Sequence, residues 1–158
     1  MIRTAFPQDA PSVAPLMFQA MSDIVFKLIN RNDPKEATRF LERLFIQKNN
    51  QYSYENTLVY EKNNQILGSL VYYNGAHIAT LSQTVFDFVH SSYGHHIRLE
   101  PETQAGEYYI DTLSVSPKVQ GKGIGSSLLL HLKEQLKGET IGLLVSMENP
   151  QAEKLYQR

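Results

Sequence analysis

The stretch that most constrains this chain runs from Glu107 to Leu130, EYYIDTLSVSPKVQGKGIGSSLLL. Tyr108 to Val115 is rich in β-branched and aromatic residues and carries neither Gly nor Pro, which suits a strand inside a sheet. Pro117 closes it. Gln120-Gly121-Lys122-Gly123-Ile124-Gly125 then leads into a helix whose apolar positions Ile124, Leu128, Leu129, Leu132 and Leu136 fall on one face. A helix that begins on glycines offers unpaired backbone N–H groups with no Cβ atoms to hold a ligand away. With the positive end of the helix dipole, that makes an anion site, and a phosphorylated ligand is expected there.

Several phosphate loops contain glycines, and spacing chooses between them. A Walker A loop needs Gly, four residues, Gly-Lys and then Ser or Thr. Here Gly121-Lys122 is followed by Gly123, and position 116 is Ser. A dinucleotide fingerprint needs G-x-G-x-x-G, whereas Gly121, Gly123 and Gly125 are spaced two and two and position 126 is Ser. The pattern Gln/Arg-x-x-Gly-x-Gly/Ala is met by Gln120, Gly123 and Gly125. Together with Leu113-Ser114-Val115-Ser116-Pro117, it resembles the acetyl-CoA loop of the GNAT family of N-acetyltransferases.

The 158 residues favour one domain spanning 1–158. A chain of this size can bury about 68–70% of its unfolded surface. A net charge of −1 gives no pointer to nucleic acid or an anionic membrane. The absence of Cys excludes disulfides, thiolate metal sites and a cysteine nucleophile. The opening MIRTAFPQDAPS lacks the order of a signal peptide, and no apolar run approaches about 18 residues, so a cytoplasmic protein with no membrane span is expected.

Met1 to Phe6 is a short strand candidate ended by Pro7, and Asp9 is placed to cap a helix with Pro11 just inside it and Val13, Leu16, Met17 and Met21 along it. Asp33-Pro34-Lys35-Glu36 marks a second helix, with Phe40, Leu41, Leu44 and Phe45 as its apolar face. Tyr52 to Asn56 reads as a polar link. Thr57–Tyr60 and Ile66–Tyr73 flank the turn signal Asn63-Asn64, the second being apolar on both faces, as an interior strand is. Gly68 within it marks a bulge or a close backbone approach. Thr84 to His90 is a helix candidate and Glu100 to Gly106 a loop. The glycine-led helix is expected to end at Gly138, followed by a strand from Ile141 to Met147 and a last helix opened by Asn149-Pro150.

The second half carries the resemblance, since the phosphate loop is followed by the strand IGLLVSM and then Asn149, Pro150, Ala152, Leu155 and Tyr156 in the spacing Asn-Pro-x-Ala-x-x-Leu-Tyr. The resemblance implies an α/β fold with a mixed sheet and acetyl-CoA as cosubstrate. It implies backbone contacts from Leu113, Ser114 and Val115 to the pantetheine arm, and pyrophosphate held by the amides of Gln120, Gly121, Lys122, Gly123, Ile124, Gly125 and Ser126. Asn149 and Tyr156 are implied near the sulfur. Gln120 stands where many members have Arg, so its side chain brings no charge to the phosphate. Members of the family continue past Leu155-Tyr156 with two more strands, which this sequence lacks. An incomplete chain is expected, or else strand exchange in a homodimer, because an uncovered strand as apolar as IGLLVSM invites edge pairing.

Acetyl transfer to a primary amine needs a neutral amine, a donor for the oxyanion and a proton for the thiolate. The Val115 amide is a candidate oxyanion donor. The resemblance assigns the acid to Tyr156, whose ordinary pKa of about 10 lies above the roughly 8.5 of a thiol. For the base, Glu107 and Asp111 alternate with Tyr109 on one face of the strand, and loss of the proton to bulk water stays open beside them. His77, His90, His95, His96 and His131 have no metal-ligand spacing, and no metal is expected. Tyr52, Tyr54, Tyr72 and Tyr73 are candidates for an acceptor pocket or for core packing. The acceptor is expected to be an amine carried by a small molecule or a peptide. The rival reading is a GNAT-like module that binds or senses coenzyme A without transfer.

Overall fold

A computed structural model describes residues 1–101 and 103–143. Strands β1 (Ile2–Thr4), β2 (Thr57–Lys62), β3 (Gln65–Asn74), β4 (Tyr108–Val115) and β5 (Ile141–Leu143) form one sheet in the order β1-β2-β3-β4-β5. Every pairing is antiparallel except β4 with β5, which is parallel. Helices α1 (Ala10–Ile29), α2 (Pro34–Phe45) and α3 (Ile78–Tyr93) share one hydrophobic core with one face of the sheet, and α4 (Ile124–Gln135) packs on the other face.

Alternation along the central strands builds both cores. Val59 and Val71 join Val13, Met17, Phe40, Phe45, Val85 and Val89 under the three helices. Leu58 and Leu70 join Ile110, Ile124, Leu128 and Leu132 under α4. A strand covered on both faces must be apolar at odd and even positions alike, and β3 is. The β2–β3 hairpin turns on Asn63 and Asn64, with φ of 52° and 63°, the left-handed pair a two-residue turn requires. Gly68 serves both roles open to it. The register slips beside it, pairing Tyr60 with Gly68 and Glu61 with Ile66. A Cβ on Gly68 would also lie 2.9 Å from Ile124 Cγ2, so its absence lets α4 approach β3.

Asp33 caps α2 as its position suggests, accepting from the amides of Lys35 at 3.1 Å and Glu36 at 3.2 Å. Asp9 does not cap α1. Its backbone is already helical, and its carboxylate turns back to the Phe6 amide at 2.7 Å and the Arg3 guanidinium at 2.8 Å. Burial acts to raise the Asp9 pKa, and the hydrogen bonds from Arg3 and Phe6 outweigh it, so the group sits below its ordinary value. Helix α1 continues to Ile29 through a non-helical Met21, and α3 is longer than Thr84–His90, starting at Ile78, with Ile78, Leu81 and Val85 at helical spacing on its inward side. Helix α4 ends at Gln135, before Gly138, which takes φ of 90° in the turn beyond.

The polar link before β2 is partly buried, with Tyr52 and Ser53 inside, Glu55 exposed and Tyr54–Asn56 forming a 3-10 turn. Asn50 and Ser53 are fully buried, and the Asn50 side chain donates to Leu44 C=O and accepts from the Tyr52 amide. By length and composition Pro7–Ile29 is apolar enough to cross a bilayer. Its apolar side, Val13, Met17, Met21, Val25 and Leu28, is instead buried in the helical core, as in an interior helix of a globular domain. Of the strand expected over Ile141–Met147, Ile141–Leu143 is observed; the remainder, and the helix expected from Asn149, lie outside the described residues.

Candidate functional site

Strand β4 delivers the chain to the glycine turn. Residues Pro117–Val119 make a single 3-10 turn, and Gly121 and Gly123 follow at φ of 81° and 85°. Both conformations are in the left-handed region, which glycine adopts without strain. A Cβ at either position would meet no protein atom within 4 Å, so the turn presents bare backbone to open space. Gly123 is also the N-cap of α4 and has no side chain to satisfy the first-turn amides of Ile124, Gly125 and Ser126. These N–H groups and the helix dipole suit a phosphate. Gly121 and Lys122 are exposed, Ser126 is partly buried, and Ile124 and Gly125 are buried against the sheet.

The ladder phase decides which β4 groups face a ligand. Ser116 N–H donates to Leu67 C=O at 2.8 Å. Since successive residues of an antiparallel strand alternate, the N–H and C=O of Val115, and of Leu113 before it, point away from β3. Among the described residues, β5 flanks β4 on that side only along Tyr108–Ile110. The Val115 carbonyl is taken by two side-chain amides, Gln19 Nε2 at 3.0 Å and Gln120 Nε2 at 3.1 Å. Gln120 therefore folds back onto the strand end. Gln19 also donates to Ser114 Oγ at 3.1 Å, which brings α1 into the site. No motif signals Gln19; the contact spans 95 residues and exists only once α1 lies over β4.

Asp111 is the extra residue of a β4 bulge: Val71 pairs with Thr112 and Tyr72 with Ile110. The bulge reverses the alternation. Ile110 lies on the α4 side and so do Leu113 and Val115, while Ser114 turns to α1. Asp111 shares the α1–α3 side with Tyr73, whose hydroxyl donates to Asp111 Oδ2 at 2.7 Å. Burial pushes the Tyr73 hydroxyl well above the ordinary tyrosine range, and the neighbouring Asp111 charge and their hydrogen bond push it further. Tyr73, Tyr109 and Tyr52 are all buried, with the Tyr73 and Tyr109 rings 5.9 Å apart, so these aromatic bodies are core, and the Tyr73 hydroxyl bonds the Asp111 carboxylate. Tyr72, on the other face, accepts from Gln135 Nε2 at 2.6 Å; burial raises its pKa, and that hydrogen bond offsets part of the rise.

Glu107 precedes β4 rather than lying in it. Its Oε1 accepts from Thr103 Oγ1 at 2.9 Å, and its Oε2 lies 2.6 Å from where a Cβ on Gly142 would be. The carboxylate thus closes the loop before β4 onto β5, a structural placement distinct from that of Asp111. Asn149 and Tyr156 lie outside the described residues. His90 and His96 stack at 4.0 Å between ring centres, an orientation that does not converge two nitrogens on one ion. Among the described residues no three metal-ligating side chains gather.

The chain matches the family described as acetyltransferase (GNAT) over residues 23–158. No curated protein matches it. Among solved structures it is similar to an N-acetyltransferase from Staphylococcus aureus Mu50, at 25% identity over 99% of this chain and 87% of that one, with a TM-score of 0.88. It is also similar to a protein described as an acetyltransferase, at 29% identity over 99% of this chain and 86% of that one, with a TM-score of 0.81. A GNAT family acetyltransferase from Brucella melitensis, solved in complex with acetyl-CoA, shares 22% identity over 93% of this chain and 76% of its own, with a TM-score of 0.53, and speaks for the fold alone. Sheet order, glycine turn and family match agree: the chain belongs to the GNAT family of acetyltransferases.

Proposed function

We propose that this protein transfers an acetyl group from acetyl-CoA directly to a primary amine. The observation that carries the reading is the turn Gln120–Gly125. Its left-handed glycines face open space at the N-terminus of α4, directly after a strand end whose Val115 backbone points away from β3. Those features fit coenzyme A, with diphosphate on the amides of the turn and pantetheine along the end of β4. Acetyl-CoA supplies a thioester, whose C–S bond breaks as the C–N bond to the amine forms.

The chain's own groups then have defined tasks. The Val115 N–H serves the carbonyl oxygen as it gains charge, the position where a fixed donor contributes most. Asp111 receives the ammonium proton, directly or through water. The Tyr73 hydroxyl fixes one of its oxygens, and Glu107 is engaged by Thr103. Tyr156 returns a proton to the sulfur, as the resemblance implies. The acceptor is an amine carried by a small molecule or a peptide.

Gly123→Asp tests the reading by calorimetric titration with coenzyme A, alongside an assay of acetyl transfer across a panel of amines. A carboxylate about 5 Å from a phosphate costs about 3 kcal/mol at an effective dielectric of about 20, roughly 150-fold in affinity. Gly123→Asn tolerates the left-handed backbone and adds no charge, so it should lose far less. Unchanged coenzyme affinity in Gly123→Asp refutes the placement of the phosphate. Coenzyme binding without transfer to any amine refutes the catalytic reading.

A further inference from the structure

We propose that Gln19 is a latch over the coenzyme's arm: its carboxamide occupies the Val115 carbonyl that a pantetheine amide takes when coenzyme A binds, so binding displaces it. The inference rests on the coenzyme reading above and adds to it a residue that lies outside the second-half motifs.

Val115 C=O has two lone pairs, and both are taken, by Gln19 Nε2 at 3.0 Å and by Gln120 Nε2 at 3.1 Å. A third donor must therefore replace one of them. The arm of coenzyme A carries secondary amides, and a glutamine carboxamide is the nearest side-chain equivalent of an amide donor. The two glutamines differ in what holds them. Gln120 belongs to the glycine turn and sits on the same side as the phosphate. Gln19 reaches across from α1, and its second bond, 3.1 Å to Ser114 Oγ, stays within reach if the carboxamide gives up Val115. Gln19 is itself exposed, so no packing opposes its rotation. Two residues further along α1, Met21 leaves the helical region at φ of −142° and ψ of 30°, so the segment bearing Gln19 ends at a break in the helix. The Val115 carbonyl is exposed and keeps Gln120 as a donor when Gln19 swings away, so displacement costs the bond from Gln19 and leaves no orphaned acceptor.

The experiment compares coenzyme A with adenosine 3′,5′-bisphosphate, which has the nucleotide but no pantetheine, by calorimetric titration of the wild type, Gln19→Met and Gln19→Ala. Met keeps the length of the side chain and cannot donate. Removing a hydrogen bond that must be broken on binding should tighten coenzyme A by about two- to tenfold in both variants. The affinity for the bisphosphate should not move. Unchanged or weaker coenzyme affinity in the variants overturns the latch, and so does equal tightening of the bisphosphate, which would place the effect away from the arm. A wild type that binds neither ligand overturns the coenzyme reading and the latch with it. A wild type that binds both, with variants no tighter, overturns the latch alone.

Discussion

Gly68→Ala puts one methyl group between β3 and the start of α4, and its consequence can be worked from the structure. The added Cβ lies 2.9 Å from Ile124 Cγ2, 3.2 Å from Leu128 Cδ1 and 3.4 Å from Ser114 O. The nearest atom is a methyl on the β-carbon of a branched residue, which has little rotamer freedom in a helix and cannot swing clear. Helix α4 must shift. Overpacking of this kind costs about 1–3 kcal/mol. The smaller entropy of an unfolded Ala relative to Gly returns about 0.4–1 kcal/mol. The net loss is about 1–2 kcal/mol, or roughly 3–6 °C in Tm for a domain of this size. Urea denaturation of the wild type, Gly68→Ala, Ile124→Leu and the double variant closes a cycle. Leu at 124 moves its branch one carbon outward and removes the clashing methyl, so the double variant should recover about 1 kcal/mol beyond additivity. Because Ile124 opens the helix whose first amides face the proposed phosphate, coenzyme affinity should fall and recover in step. A Gly68→Ala protein as stable as the wild type, or a cycle with no coupling, refutes the close approach as the reason for this glycine.

Two further outcomes follow from single contacts. Tyr73 has a folded pKa raised by burial and by Asp111, so above about pH 10 the unfolded chain loses a proton that the folded chain keeps. Its contribution is complete below about pH 10, and stability then falls with pH at up to about 1.4 kcal/mol per unit. Tyr73→Phe should be less stable at pH 8 by about 1–2 kcal/mol, through loss of the bond to Asp111, yet decline less steeply between pH 10 and 11.5; equal slopes in denaturant titrations would rule this out. Asp33→Ala removes the acceptor for the amides of Lys35 and Glu36 and should cost about 1 kcal/mol in thermal unfolding, with coenzyme affinity untouched; a coenzyme effect would show α2 coupled to the site.

What the sequence determined by itself was local or periodic. The interval Tyr108–Val115 is rich in β-branched and aromatic residues, lacks Gly and Pro, and is β4 residue for residue; Asn63-Asn64 turns a hairpin because Asn tolerates the left-handed backbone; Asp33-Pro34 starts α2. The glycine spacing was informative for the same reason, since amides exposed at a helix start are a property of consecutive residues. Tertiary structure decided what depends on partners far along the chain. Asp9 looks like a cap until Arg3 competes for its carboxylate, and Glu107 and Asp111 look equivalent until Thr103 takes one and Tyr73 the other. The β4 bulge that reverses the alternation after Asp111 arises from register with β3, which no pattern within β4 encodes. Gln19 has no sequence signal at all. A hydrogen bond between residues 96 positions apart acquires meaning only when packing of the apolar face of α1 carries its polar edge to the end of β4.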